Sequence, residues 1–262
     1  MTETPILDHK HSTAPSVFAP EALLREARRQ KGLAHADVPS ICVLDPDGDL
    51  VRHLRETKAA KPVPGWPCYH TELDLFELGG GPAGIIGRVV GAPFAVLVAE
   101  ELFASGCELL INLTSAGQIV PAGPPPYFVI IERALRDEGT SYHYAPPGEF
   151  AAANARLVEA GRQALAAAGL RGVVGASWTT DAPFRETEQA IEAARRKGIL
   201  AVEMEAAALY AFAAARQKRV LCLAHVTNAM GQHGDDFEKG EADGAADALR
   251  LLSAIAREVE AT

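Results

Sequence analysis

Two carboxylates flank a methionine in residues 201–210, whose sequence is AVEMEAAALY. Glu203 and Glu205 would point in different directions from one continuous helix, but both can line a pocket if the helix begins between them. A carboxylate at a helix start also lies in the favourable field of the helix dipole. The segment, with Met204 at its centre, is therefore a candidate acidic pocket wall. A solvated glutamate in a first helical turn is the alternative that the spacing leaves open.

Small residues follow directly after an apolar, strand-like run at residues 107–113. In the stretch LTSAG, the short side chains of Thr114, Ser115 and Gly117 would leave backbone N–H groups exposed, and such groups can cradle an anion. The hydroxyls of Thr114 and Ser115 can add further hydrogen bonds. The pattern predicts an anion-binding loop after a buried strand.

Thr227 and Asn228 stand at the end of a second apolar run, residues 219–226. An asparagine amide donates and accepts hydrogen bonds, but it cannot act as a general acid at neutral pH. Asn228 could therefore bind the polar edge of a ligand. The alternative is an asparagine that caps a turn at the end of a strand.

Two aromatic side chains and a cation follow the strand-like run at residues 172–177, in the sequence WTTDAPFR. Trp178 and Phe184 could each stack on a flat heterocycle, a contact worth roughly 1–3 kcal/mol by analogy with single-stranded nucleic acid. Arg185 could reach the same ligand or an anion. Packing in the core is the alternative for each aromatic.

The remaining histidines and cysteines predict no metal site, because none has metal-ligand spacing. His225 lies inside a strand-like run and is interpreted as a core residue, and His70 is not assigned a role. His233 lies in the loop sequence GQHGD, which could cover a pocket. The four cysteines are predicted to be buried free thiols of a reducing compartment.

Composition narrows the class of protein. The chain has 262 residues, 48% of them hydrophobic, and a formal net charge of −9. An acidic chain gains nothing from the release of phosphate counterions, which argues against a nucleic-acid partner. The first residues lack the apolar core of a signal peptide, and no apolar run is long enough to span a membrane. We therefore expect a cytoplasmic protein without a membrane partner.

Alternating helical and strand-like segments predict an α/β fold: a single domain, residues 20–262, with a mostly parallel, mixed and twisted sheet flanked by helices. Residues 1–19 lack periodicity and are predicted to form a loose N-terminal arm. The predicted helices cover 20–32, 94–105, 151–168, 186–197, 202–217 and 243–259. The predicted strands cover 40–44, 73–78, 84–90, 107–113, 128–131, 172–177 and 219–226.

Four motifs occur in an order and spacing that resemble a known family: INLTSAG, GASWTTDAPF, KGILAVEMEAAALY and VTNA. Together they resemble the nucleoside phosphorylase and nucleosidase superfamily, especially the purine nucleoside and uridine phosphorylases. The resemblance covers most of residues 84–255. It implies the phosphorylase/hydrolase-like fold and cleavage of the N-glycosidic bond of a purine or pyrimidine nucleoside. With phosphate as co-substrate and no cofactor, the products would be free base and ribose 1-phosphate.

The resemblance also assigns roles. Glu205 resembles the glutamate that grips the ribose 2′- and 3′-hydroxyls, with Glu203 as its neighbour, and Met204 resembles the methionine that packs on the sugar. Phe184 stands nearest to the aromatic that stacks on the base. Asn228 stands where a base-protonating aspartate is found, with Thr227 beside it. A carboxylate on the hydroxyls would orient the ring and stabilise an oxocarbenium-like transition state.

The phosphate site departs from the family pattern. Thr114, Ser115 and Gly117 resemble the phosphate loop, but Asn112 stands where an arginine usually precedes it, and Arg88 is the proposed replacement cation. The turn sequence DPDGD only echoes the second phosphate loop and carries three carboxylates. A nucleosidase that uses water, or a non-catalytic nucleoside-binding protein, is therefore the alternative. The resemblance also implies a homo-oligomer, either a dimer or a hexamer.

Overall fold

Helices and strands alternate along the computed structural model, which describes residues 4–230 and 237–260. The described helices are α1 Pro20–Lys31, α2 Asp49–Glu56, α3 Ala92–Ala104, α4 Ala155–Ala167, α5 Glu188–Arg196, α6 Ala206–Arg216 and α7 Ala245–Glu260. The described strands are β1 Ile41–Asp45, β2 Ala60–Pro62, β3 Asp74–Leu78, β4 Gly81–Gly87, β5 Leu109–Gln118, β6 Tyr127–Asp137, β7 Phe150–Ala152, β8 Gly172–Thr180, β9 Ile199–Glu203 and β10 Arg219–Asn228.

All ten described strands belong to one mixed sheet of order β10-β6-β8-β9-β5-β1-β4-β3-β2, with β7 paired to β6. Strand β5 also pairs with β10, so that β5, β10, β6, β8 and β9 close into a ring. Most of the longer ladders, including β5–β10 and β6–β8, are parallel. The predicted single α/β domain with a mixed sheet between helices is confirmed.

The core lies on both faces of this sheet, because its central strands are covered by helices on each side. Side chains alternate along β5, with Leu110 packed among α3 and α6 and Ile111 packed among α4 and α7. Tyr210 fixes α6 against the sheet. Its hydroxyl donates to the Ile131 carbonyl at 2.6 Å and accepts from the Cys222 N–H at 2.9 Å. This anchoring sets the position of the first turn of α6.

Several predicted boundaries shift in the structure. The predicted helix from residue 202 begins only at Ala206, because Ile199–Glu203 pairs with β8 and β5 as a strand. Residues 150–152 form β7 before α4, and residues 49–56 form a helix that was not predicted. Residues 4–19 form turns and bends. All four cysteines are buried and none forms a disulfide, as predicted.

Within the described residues, no helix is both long enough and apolar enough to cross a membrane.

Candidate active site

Glu203 anchors the junction between β9 and α6. Its Oε2 accepts hydrogen bonds from the N–H groups of Glu205 and Ala206, each at 2.7 Å, which satisfies two donors at the start of the helix. Its Oε1 accepts from Ser177 Oγ at 2.9 Å and from Thr179 Oγ1 at 2.5 Å. Burial raises the pKa of Glu203, and these hydrogen bonds oppose that rise. Both oxygens of this carboxyl are therefore engaged within the protein.

Glu205 is almost completely buried, with 1% of its surface exposed. Its Oε1 accepts from the Gly91 N–H at 2.7 Å, at the start of α3, and its Oε2 has no partner among the described residues. Burial, followed by the neighbouring carboxyl of Glu203, raises the pKa of Glu205 to about 8. At neutral pH this carboxyl is therefore mostly protonated, so that it can donate as well as accept a hydrogen bond.

A cavity of about 470 Å³ opens where β5, β9 and β10 end. Such ends are the usual ligand sites of α/β sheets. Met204 forms part of the cavity wall, whereas Glu205, the next residue in the chain, is buried and is not among the residues that line the cavity. The lining residues are Asp47, Ser115, Ala116, Gly117, Pro183, Phe184, Glu186, Val202, Glu203, Met204, Thr227, Asn228, Met230, Phe237 and Lys239.

Gly117 joins the three strands at this cavity, since it pairs with Asn228 on β10 and with Val202 on β9. A Cβ atom at residue 117 would collide with the sulfur of Met230. A larger residue at position 117 would therefore require the flexible side chain of Met230 to move.

Asn228 both closes a turn and faces the cavity. Its Oδ1 accepts from the Met230 N–H at 2.9 Å, and its Nδ2 lies 3.3 Å from Thr227 Oγ1. The turn-capping alternative raised by the sequence is thus present in the structure. The amide retains one N–H and one oxygen lone pair for a ligand.

The phosphorylase superfamily model matches residues 40–257. The chain belongs to the phosphorylase superfamily. A uridine phosphorylase of Thermococcus kodakarensis is 28% identical over 203 residues, which are 71% of this chain and 72% of that protein. A DeoD-type purine nucleoside phosphorylase of Roseobacter denitrificans is 30% identical over 170 residues, 62% of this chain and 68% of that one.

The solved structures show the same fold. A uridine phosphorylase from Vibrio fischeri ES114 superposes with a TM-score of 0.71 at 22% identity, covering 86% of this chain and 95% of that chain. A structure of the Vibrio fischeri enzyme complexed with 6-hydroxy-1-naphthoic acid gives a TM-score of 0.70 at 19% identity, with 88% and 93% covered. The resemblance inferred from the four sequence motifs is confirmed at the level of superfamily and fold.

The structure gathers seven of the predicted site residues around the cavity. Phe184 is 99% exposed and stands at its rim, in the short 3₁₀ turn Pro183–Arg185. The others belong to strand ends or to the start of α6. The seven are Ser115, Gly117, Phe184, Glu203, Met204, Thr227 and Asn228.

Three predicted site residues lie elsewhere. Trp178 is 4% exposed and packs in the core, where its indole N–H donates to Asp137 Oδ2 at 2.9 Å. Arg185 is exposed and does not line the cavity, because the 3₁₀ turn presents Phe184 instead. Arg88 follows the end of β4 and lines a separate cavity of about 390 Å³ with Arg52. Trp178 thus packs in the core, and Arg88 is not among the residues that line the main cavity, so its role as the pocket cation stays a prediction.

The predicted anion loop is wrong, because β5 continues through residues 114–117 and pairs with β10. Thr114 is buried and lines a small neighbouring cavity rather than the main one. The N–H of Ser115 donates to Asp47 Oδ2 at 2.8 Å. A carboxylate of the protein thus already binds an N–H group that was assigned to an external anion.

None of the histidines in the described part of the chain lines the main cavity. His225 is buried in β10 and stacks on Phe128, with ring centroids 4.6 Å apart. Burial lowers the pKa of His225 to about 4, so that it is neutral at pH 7. His70 lies beside the separate cavity near Arg88, and His233 lies outside the described residues. Among residues 4–230 and 237–260, no three His, Cys, Asp or Glu side chains are grouped as metal ligands.

Sequence reasoning missed three charged residues of the cavity wall: Asp47, Glu186 and Lys239. Asp47 was noted only as a repulsive charge, and Glu186 was assigned to the first turn of a helix. Lys239 forms an ion pair with Asp49. Burial raises the pKa of Glu186 to about 7. The wall thus carries three carboxyls and, among the described residues, one cation that is already paired.

Proposed function

We propose that this member of the phosphorylase superfamily cleaves the N-glycosidic bond of a nucleoside. The observation that carries the proposal is the placement of Glu205. One oxygen of this buried carboxyl is held by the Gly91 N–H, and the other has no partner among the described residues. A ribose hydroxyl that enters beside Met204 would supply that missing partner.

The other residues at the cavity can bind the sugar and the base of a nucleoside. Met204 packs against the sugar while the carboxyl of Glu205 forms hydrogen bonds with its hydroxyls. When ionised, the same carboxyl also stabilises the positive charge that develops on the ring. Asn228 offers its free N–H and lone pair to the edge of the base. Phe184, at the rim, offers an aromatic face to the heterocycle.

Phosphate is the first candidate acceptor. Phosphorolysis would give free base and ribose 1-phosphate, and the relatives that share the family are named as phosphorylases. The hydroxyl of Ser115, at the end of β5, is available to bind phosphate within the cavity.

Water is a second candidate acceptor, favoured by the contact between Asp47 and the Ser115 N–H. A phosphate dianion at this N–H would meet the Asp47 carboxylate, and the one described cation of the wall, Lys239, is paired with Asp49. Uncompensated like charges disfavour the anion. A neutral water molecule meets no such repulsion, and Asp47 could accept the proton that water loses.

A single assay separates these functions. Purified protein is incubated with purine and pyrimidine nucleosides, with and without inorganic phosphate, and free base and ribose 1-phosphate are measured. Base release that requires phosphate establishes phosphorolysis, and equal release without phosphate establishes hydrolysis. Thermal stabilisation by a nucleoside without base release would overturn the enzymatic proposal and indicate a binding protein.

A further inference from the structure

Departure of the base requires a proton donor, and none has yet been assigned. When the C1′–N bond breaks, its electron pair moves onto the base, and protonation of the base at another nitrogen makes this departure easier. Asn228 lines the cavity where such a group is needed, but an amide cannot supply a proton at neutral pH. Among the described residues, the cavity wall carries three carboxyls that could supply the proton: Asp47, Glu186 and Glu203.

Two of these carboxyls are already engaged by the protein. Both oxygens of Glu203 accept hydrogen bonds from α6 and β8. Asp47 accepts from the Ser115 N–H at 2.8 Å. The carboxyl of Glu186, by contrast, makes no hydrogen bond or ion pair with any residue in the described part of the chain, and it is only half-buried. Of the three carboxyls, it is the one that makes no hydrogen bond to the described residues, so both of its oxygens can meet a ligand.

The local structure directs Glu186 toward the base end of the cavity. Glu186 directly follows the 3₁₀ turn that carries Phe184 and precedes Thr187, whose Oγ1 accepts from the Ala190 N–H at the start of α5. The backbone is thus fixed on both sides. Glu186 shares the cavity wall with Phe184 and Asn228, the two residues assigned to the base.

We propose that Glu186 is the general acid that protonates the departing base, and that the base is a purine. This inference rests on the proposed glycosidic cleavage. As the C1′–N9 bond breaks, its electron pair enters the imidazole ring, and the carboxyl proton of Glu186 moves to N7. The acceptor oxygen, from water or phosphate, bonds to C1′, and Glu186 regains a proton from solvent. A purine is required because its N7 is a basic peripheral nitrogen, whereas uracil has no comparable basic atom.

The electrostatics of the cavity support this role. Burial raises the pKa of Glu186 to about 7, so that a substantial fraction of the carboxyl holds its proton at neutral pH. The other charged groups of the cavity wall are Asp47, Glu203 and Lys239, which is paired with Asp49, and Arg185 and Glu188 lie on the same segment as Glu186. None of them is a cause of the shift, which comes from burial alone.

The test compares two substrates in each of three variants. Inosine needs a proton at N7 to release its base, whereas 7-methylinosine carries a methyl group and a positive charge there and needs none. We expect Glu186→Gln to lower kcat/KM for inosine by about 10²–10⁴-fold while leaving 7-methylinosine within a factor of about three. Glu186→Asp should retain part of the inosine activity. The matched control, Glu188→Gln, changes an exposed carboxyl two residues away and should leave both substrates unchanged.

The pH profile gives an independent readout. In the wild type, kcat/KM for inosine should fall as pH rises through about 7, and this alkaline limb should disappear in Glu186→Gln. The ratio of the two substrates within one preparation does not depend on how much protein is folded, so a partly unfolded variant still answers the question.

Three results would overturn the assignment of Glu186 alone: unchanged inosine cleavage in Glu186→Gln, an equal loss on both substrates, or wild-type activity restricted to pyrimidine nucleosides. Wild-type protein that releases base from no nucleoside would overturn the proposed function itself, and the Glu186 assignment with it.

Discussion

The chemistry at the residue scale depends on buried carboxyls whose properties arise from tertiary structure. Glu205, Met204 and Asn228 could be located from the sequence, because each occurs in a motif with a fixed place at a strand end or helix start. Glu186 could not, since a glutamate before a helix is ordinarily a solvated residue. Its half-burial beside the cavity appears only in the folded chain.

Glu205 gives a prediction about pH. Its pKa is raised from the model-peptide value of 4.5 to about 8 by burial and by Glu203. A carboxyl whose pKa is higher in the folded protein than in the unfolded chain contributes stability that is fully present below pH 4.5 and is lost as pH rises through 8. Glu205→Gln removes this titration, so the free energy of unfolding of the wild type should fall relative to the variant by up to about 1.4 kcal/mol per pH unit within this window. Urea unfolding from pH 5 to 9 measures the difference.

Asp45 and His225, whose pKa values also differ from their ordinary values, are present in both proteins, so their contributions cancel in that comparison. Glu21→Gln, on the exposed face of α1, is the matched control and should show no pH-dependent difference. Parallel stability curves for the wild type and Glu205→Gln would show that Glu205 titrates in the folded protein as it does in the unfolded chain. The same variant should also lose nucleoside cleavage, because an amide cannot ionise to the carboxylate that stabilises the positive charge on the ribose ring.

At the scale of elements, the site is assembled by the junction of β9 and α6. The sequence predicted a helix from residue 202, whereas the strand continues to Glu203 before α6 begins at Ala206. Both segments are apolar, so periodicity alone could not separate them. The extension of β5 through Ser115 and Gly117 was missed for a related reason. Its pairing partner, β10, lies more than a hundred residues away in the chain.

The contribution of this junction can be tested by substitution of Thr179 in β8. Its Oγ1 donates to Glu203 Oε1 at 2.5 Å and accepts from the Ala207 N–H at 2.9 Å. Thr179→Val keeps the shape but leaves a buried N–H and a carboxylate oxygen with fewer partners. We expect a loss of about 1–3 kcal/mol in the free energy of unfolding. Because Met204 and Glu205 follow the anchored residue, kcat should fall as well.

Thr140→Val is the matched control for that variant, since the Thr140 side chain makes no capping hydrogen bond at the short helix Ser141–His143. Urea unfolding and nucleoside cleavage are measured on both variants. If Thr179→Val were as stable and as active as Thr140→Val, the hydrogen bonds at the β9–α6 junction would not be needed to hold the site.

At the scale of the whole molecule, the fold class followed from the alternation of elements, but the closed ring of β5, β10, β6, β8 and β9 did not. Ring closure depends on the second pairing of β5, which joins segments that are distant in sequence. The sequence also did not show that an acidic group would lie in the cavity wall. The turn after β1 carries Asp47 to the Ser115 N–H, and only the folded chain shows that an acidic group lies there.

The rim of the cavity leads to a prediction about assembly. Phe184 and Phe237 are 99% and 69% exposed, and both line the cavity at its open side. Large aromatic side chains exposed beside a ligand site are typical of surfaces that another protein covers. Together with the family resemblance, this exposure leads us to expect a homo-oligomer in which a neighbouring copy completes the site. Light scattering after size exclusion should give a mass two or six times that of the 27.7 kDa chain.

Activity should follow assembly if the neighbouring copy contributes to the site. On dilution, the rate of base release per chain should fall over the same concentration range in which the measured mass falls. A protein that remains a 27.7 kDa monomer and retains its full rate per chain at every concentration would contradict this expectation. In that case the exposed rim would have to be covered by the substrate alone, with Phe184 folding onto the base after it enters.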